Sequence, residues 1–212
     1  MRGIYINRKH TGNDMGLIMT DRDIGVPVAQ TYKVDIPGRD GELDLSEFLT
    51  GSVHYSNRPL NFKFVTDGSQ KQILTAINEM MLFHGQLAEI VEDDYLGYYY
   101  KGRISISFKD NGRYVEFEMS VDAEPFRMAR EKNAFSYTVT SSKECLIVNT
   151  GMAVVPTVTT TGTVTIIRNG QRVSISAGSS YIDDFFKLQH GTNTFNIEGN
   201  ATVTFEFTEV FI

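Results

Sequence analysis

The 212-residue sequence predicts a mainly β protein, a β-rich α+β chain in two parts. Three observations carry that reading. Short stretches alternating apolar and polar residues recur along the chain, divided by Gly- and Asn-containing turns about 8 to 12 residues apart, the pattern of a sandwich or barrel. Only one stretch, Ser69 to Gly85, has the period of a helix. Charge density also falls sharply along the chain: residues 1–133 hold 16 Lys/Arg and 20 Asp/Glu, whereas 134–212 hold 4 and 6 but 14 threonines. The division predicts an N-terminal domain over 1–130 and a small β-sandwich over 131–212. The junction is the charged run Pro125 to Asn133, which opens on a proline.

Taken in chain order, the first dense signal is Pro37 to Phe64. It contains a Pro-Gly turn, a charged loop flanked by Gly38 and Gly41, and two alternating strands. Next, Ser69-Gln70-Lys71-Gln72 forms a capping box, in which the Ser69 hydroxyl bonds the Gln72 amide and the Gln72 side chain reaches back. Ile73, Ile77, Met80, Met81 and His84 then share one face, and Gly85 supplies a left-handed stop. This predicts one amphipathic helix over 70–83 lying on a sheet. Ile104 to Phe108 and Tyr114 to Met119 alternate about Asp110-Asn111-Gly112, a hairpin turn. Thr163 to Arg168 and Gln171 to Ser176 flank Asn169-Gly170, a second tight hairpin. At the end, Val203, Phe205 and Phe207 alternate with Thr202, Thr204, Glu206 and Thr208 in a half-buried strand.

Composition narrows the function classes. With 41% hydrophobic and 11% aromatic residues the chain is globular. A formal charge of −6 argues against duplex nucleic acid as a ligand, because phosphate binding needs clustered Lys and Arg. Cys145 is the single cysteine, so no internal disulfide forms, which fits folding in a reducing compartment. The N-terminus lacks the apolar run of a signal peptide, and no window approaches a membrane span. A soluble protein made in a cytoplasm is expected, and Asn200-Ala201-Thr202 then reads as a turn.

No chemistry emerges from the motifs, and no catalytic, metal or cofactor residue is assigned. His10, His54, His84 and His190 are far apart and none has zinc-site spacing. Asp40-Gly41-Glu42-Leu43-Asp44 alternates carboxylates like a calcium loop, but the sixth position, where the sharp turn needs glycine, is Leu45. Cys145 sits in the apolar strand Glu144 to Val148 and reads as a buried small hydrophobe. Glu116 and Glu118 share one strand face, which suits a solvated surface. Phosphate-loop and nucleophile-elbow patterns are absent. A sugar site would need an aromatic platform; there is no Trp, and Tyr181, Phe185 and Phe186 are ordinarily core. Tyr98-Tyr99-Tyr100 differs, because tyrosines on both faces of one strand cannot all fill a single core, and such residues serve a subunit interface well.

Several segments resemble, in order, the distal tail protein family of long non-contractile-tailed bacteriophages. They are Pro37-Gly38-Arg39-Asp40-Gly41 with Leu43-Asp44, then Tyr55-Ser56-Asn57-Arg58-Pro59 running to Phe64, and the capped helix. After these come Tyr98 to Arg103 and Pro125-Phe126, then Val148 to Gly151 with Val155-Pro156, and finally His190 to Asn193 with the last strand. The resemblance spans nearly the whole chain. It implies a tail-tube-like β-sandwich or split barrel with one helix and a projecting hairpin, followed by a galectin-like β-sandwich. It further implies a non-enzymatic structural hub: a hexameric ring joining the major tail protein to the tip or tail-associated protein, with receptor-binding proteins as further partners. DNA would pass through the lumen without being specifically bound. Location in the virion tail tip follows, after assembly in the host bacterial cytoplasm. The interface residues expected are Arg39, Asp40, Asp93, Tyr98, Tyr99, Tyr100 and Arg103. The alternative is a carbohydrate-binding adhesion module of a tail tip; a cell-wall hydrolase is a third class, with no motif in its favour. The chain is shorter than larger members of the family, leaving no room for an inserted carbohydrate module.

Overall fold

The computed structural model describes residues 2–48 and 51–212. By Cα packing the chain divides into two compact units, Met1–Arg127 with Ile212, and Met128–Phe211. The first contains β1 (Ile4–Ile6), β2 (Lys9–His10), β3 (Ile18–Ile24), β4 (Lys33–Val34), β5 (Leu43–Asp44), β6 (Arg58–Asp67), helix α1 (Gln70–Met81), β7 (Leu87–Glu92), β8 (Tyr98–Asp110) and β9 (Tyr114–Ala123). A single 3-10 turn, Asp93–Tyr95, separates β7 from β8. One antiparallel sheet runs in the order β2-β1-β7-β8-β9-β6-β3.

Strands β6 and β9 form the spine of this sheet, paired from Arg58↔Ala123 to Asp67↔Tyr114. Strict alternation drives every second residue inward. Leu60, Phe62 and Phe64 meet Val115, Phe117, Met119 and Val121 there, all fully buried. Each such side chain stabilises the fold by roughly 1.5–3 kcal/mol. The opposite face is solvated, and Lys63 pairs with Glu118 across it at 3.5 Å, so Glu116 and Glu118 do share an exposed face. Helix α1 covers the inner face with Ile73, Ala76 and Met80, and both halves of its capping box form. It ends at Met81 rather than residue 83. Phe83 and His84 bond back to Met80 and Met81 in a tightened last turn before Gly85 at φ +77. His84 Nδ1 accepts the Ile106 amide at 2.9 Å, which ties the turn to β8.

One irregularity decides what the interior contains. The β3–β6 register shifts at Thr20, where Met19 opposes Phe64 but Asp21 opposes Lys63. The inserted residue turns Arg22, opposite Phe62, toward the inner face. At Gly102 the backbones of β8 and β9 approach closely: a Cβ there would lie 2.6 Å from both Ala123 Cα and Asp122 O. Pairing of β7 with β8 ends at Leu87↔Arg103, while β8 continues beside β9 as far as Asp110.

In the second unit, β10 (Arg127–Ala129) carries the chain across the boundary. Then follow β11 (Asn133–Val139), β12 (Ser142–Asn149), β13 (Thr157–Thr160), β14 (Val164–Arg168), β15 (Gln171–Ile175), β16 (Ser180–Tyr181), β17 (Gly191–Gly199), β18 (Ala201–Phe207) and β19 (Val210–Phe211). Two four-stranded sheets, β11-β18-β13-β16 and β12-β17-β14-β15, enclose one core. Cys145, Ile147, Ile166, Phe195 and Ile197 face Val158, Val203 and Phe205, all at 0% exposure. Burial pushes the Cys145 thiol up, consistent with a packing residue. The β14–β15 hairpin turns on Asn169 at φ +49 and Gly170 at φ +80, the paired positive angles that a two-residue turn needs. Hydroxyl pairs Ser136–Thr204 and Thr138–Thr202 line the outer face of β11 and β18. Part of the threonine excess of this half is therefore surface strand, although Thr160 is buried.

Candidate assembly interface

Between β3 and β6 the chain leaves the sheet as a narrow arm. Its outgoing and returning limbs meet through the bridge Ala29↔Tyr55 and the pairs Lys33↔Asp44 and Val34↔Leu43. Gln30 N donates to His54 O at 2.8 Å and Ser56 N to Val28 O at 2.9 Å. Near the tip, Asp44 accepts from the Ser46 amide and hydroxyl, which holds its carboxyl below the usual range, while the Ser46 oxygen receives the Tyr32 amide. The base is anchored to the sheet: Gly25 N reaches Pro59 O at 2.9 Å, and Tyr55 packs edge-on to Phe126 at 5.8 Å.

The arm is a two-limbed ribbon with no third strand, and such ribbons are marginal alone. It nevertheless exposes Val26 (72%), Val28 (70%), Tyr32 (65%) and Phe48 (79%). Apolar side chains gathered on one projecting element mark a contact surface. The predicted strand pair within Pro37–Phe64 therefore differs from what forms. Only the second becomes a long strand, β6. The first shrinks to β5, because its only strand neighbour is the two-residue β4 and the Asp44–Ser46 bonds turn the chain at once. Leu49 and Thr50, within the same stretch, lie outside the described residues.

Arg39 and Asp40 are exposed at the arm's tip, where Arg39 N closes a turn on Ile36 O at 3.1 Å. No hydrogen bond or ion pair among the described residues joins them to the tyrosine segment. Asp93 is engaged within its own subunit, where its carboxylate accepts from His10 Nε2 at 3.0 Å and from Gly3 N at 2.8 Å. His10 Nδ1 accepts from the Gly12 and Asn13 amides, so Nε2 carries the proton. Tyr100 is 5% exposed and belongs to the core, which removes it from any surface. Tyr98 and Tyr100 do share one face of β8 and Tyr99 takes the other; burial, then Glu89 and Glu124, push the Tyr99 phenol up. Arg103, on the solvated face, donates to Gly85 O at 2.6 Å. Among the aromatics considered for sugar, Phe186 is core, Phe185 packs edge-on against it, and the Tyr181 hydroxyl accepts the Ser176 amide.

The arm's apolar residues were missed by motif reasoning, although Val26, Val28, Tyr32, Val34 and Ile36 fall at even spacings, a strand-like period. Also missed was the charged group around β7: Arg22 pairs with the buried Glu92 and with Asp94, which in turn pairs with Arg2. Nothing in Glu92-Asp93-Asp94 distinguishes a buried carboxylate from two solvated ones.

No family model matches this sequence, and no curated protein matches it. Among solved structures, the chain is similar to the SPP1 Dit (gp 19.1) protein, described as a paradigm of the hub adsorption apparatus in phages infecting Gram-positive bacteria. The two agree with a TM-score of 0.70 over 100% of each chain, at 16% sequence identity. This chain has the Dit-like, β-rich fold from end to end.

Proposed function

We propose that this protein is a structural hub of a phage tail tip that acts by assembly and not by turnover. The observation that carries the reading is the end-to-end likeness to the SPP1 hub protein, which includes both units and leaves neither chain with an unmatched domain. The arm supports it independently, because it exposes apolar residues that a lone subunit has no use for. A closed ring repeats one heterologous interface, so each subunit needs two different complementary faces. In this reading the arm, with Arg39 and Asp40 at its tip, is one face. The outer side of the Asp93 to Arg103 segment, with Tyr99 and Arg103, contributes to the other. Residues 1–130 form a hexameric ring, and 131–212 form a domain of galectin-like type that meets receptor-binding or other tip proteins. The ring joins the major tail protein to the tail-tip protein in the virion, and a subunit of net charge −6 lets DNA pass without holding it.

Imaging the purified protein by electron microscopy, with sedimentation across a concentration series, tests the reading. Rings, formed alone or with the neighbouring tail proteins co-expressed, are the expected result. A strictly monomeric protein that neither forms rings nor binds those neighbours would overturn it.

A further inference from the structure

One end of the first unit's interior is rich in arginine. Arg58 opens β6 on the inward face and is only 4% exposed. Its guanidinium carbon lies 5.4 Å from the centre of the Tyr100 ring. Its Nε is buried without a hydrogen-bond partner, and no carboxylate among the described residues forms an ion pair with it. Arg127 repeats the arrangement two positions along β8. Its guanidinium carbon sits 4.6 Å from the Tyr98 ring centre and 5.4 Å from that of Tyr95, and its Nε is again buried and unpartnered. Alternate residues of a strand share a face about 7 Å apart, so the two guanidiniums lie over neighbouring rings.

The acidic groups nearby are already engaged. Glu92, 4% exposed, accepts from Arg22 and also attracts Arg127 electrostatically, with no hydrogen bond or ion pair between those two; Asp94 pairs with Arg22 and Arg2; Asp93 holds His10 and Gly3. Cation–π contact stabilises the faces of the Arg58 and Arg127 guanidiniums, but their N–H donors point outward in the plane of the group. Desolvating an unpaired guanidinium is among the costliest polar burials in a core, and what relieves it is an anion. Two adjacent guanidinium forks match a tetrahedral oxyanion, which accepts two bonds from each. Arg58 lies deep, whereas Arg127 is half-buried and Tyr95 is 46% exposed, so the approach is from the Tyr95 side. Arg58's depth favours a small free anion over one carried on a macromolecule.

We propose that Arg58 and Arg127, stacked on Tyr100 and on Tyr98 and Tyr95, form a binding site for a small tetrahedral oxyanion of the phosphate class. Inorganic phosphate is the probe, with sodium chloride at matched ionic strength as the control for screening. On the full chain, saturating phosphate raises Tm by about 5 °C over chloride, and the phosphorus NMR line of phosphate broadens. Arg127→Gln weakens the phosphate response about tenfold or more, Arg58→Met abolishes it, and Arg113→Gln, at an exposed hairpin tip, leaves it intact. The order of stabilities also crosses: Arg58→Met melts above wild type in chloride and below it in phosphate. Equal melting in phosphate and chloride overturns the proposal, as does a phosphate response that survives in both arginine variants. So does an Arg58→Met protein less stable than wild type by the same margin in both salts, the mark of a purely structural arginine. Should Arg58→Met fail to fold, Arg127→Gln and the NMR line width decide.

Discussion

Phe48 offers the sharpest test of the arm. A phenylalanine side chain presents about 150–250 Å² of surface, and at Phe48 79% of it is open. Roughly 150 Å² is thus available to a neighbour, worth up to about 4 kcal/mol if fully covered at 25 cal/mol per Å². Partial cover and the entropy of ordering the arm reduce this to between about 2 and 4 kcal/mol per interface. Phe48→Ser should therefore weaken each subunit contact roughly 30-fold to several hundred-fold. The isolated fold should hardly change, because an exposed residue away from caps and core alters stability by about 0.5 kcal/mol or less. Sedimentation velocity and electron microscopy read the first effect, and thermal melting reads the second. The expected outcome is a monomeric protein of wild-type Tm. If the variant forms rings at the same concentration as wild type, Phe48 is not at the interface. If it melts many degrees lower, Phe48 packs within its own subunit and the arm is not a free contact surface.

Three further outcomes follow from packing, titration and capping. Gly102→Ala places a methyl 2.6 Å from backbone atoms of β9 that have no room to yield; a loss of about 3 kcal/mol is expected in urea unfolding. The Glu92 carboxyl is raised above 4.5 by burial, against the opposing pull of Arg22. The folded state thus binds its proton more tightly than the unfolded state. Its contribution is fully present below pH 4.5 and is lost as pH rises through the higher folded value. Glu92→Gln should flatten stability across that window, and an unchanged pH profile would contradict the assignment. Ser69→Ala removes the acceptor for the Gln72 amide, costing about 1 kcal/mol, with faster amide exchange confined to the first turn of α1.

What the sequence made legible was local. The Ser69–Gln72 box, the Asn111-Gly112 and Asn169-Gly170 turns and the Val203, Phe205, Phe207 alternation each depend on neighbours in the chain, and each formed. Residues whose role depends on distant partners were opaque. Arg22 turns inward only because of the Thr20 bulge, and nothing near it in sequence announces the pairing with Glu92, seventy positions away. Tyr100 is expected at an interface because tyrosines on both faces of one strand cannot all fill a single core; it is instead buried, with the Arg58 guanidinium stacked over its ring. The resemblance implied the projecting hairpin, but its exposed apolar residues Val26, Val28, Tyr32 and Phe48 lay outside the motifs that carry the resemblance.

The overhang of β8 beyond β7 leaves one strand edge of the first unit open. Past Ile106 this strand pairs with β9 on one side alone, and Phe108, 43% exposed, stands on that open edge. Free edges beside an aromatic recruit unfolded or foreign strands. Lys109, Asp110 and Arg113 put charges of both signs around the hairpin tip, where pairing with a like copy would bury them unmatched. The exposed apolar arm and the charged strand edge are thus treated differently by the sequence. Charge discourages strand addition at one place, and under the proposed hub role the arm stays open for ordered contact at another.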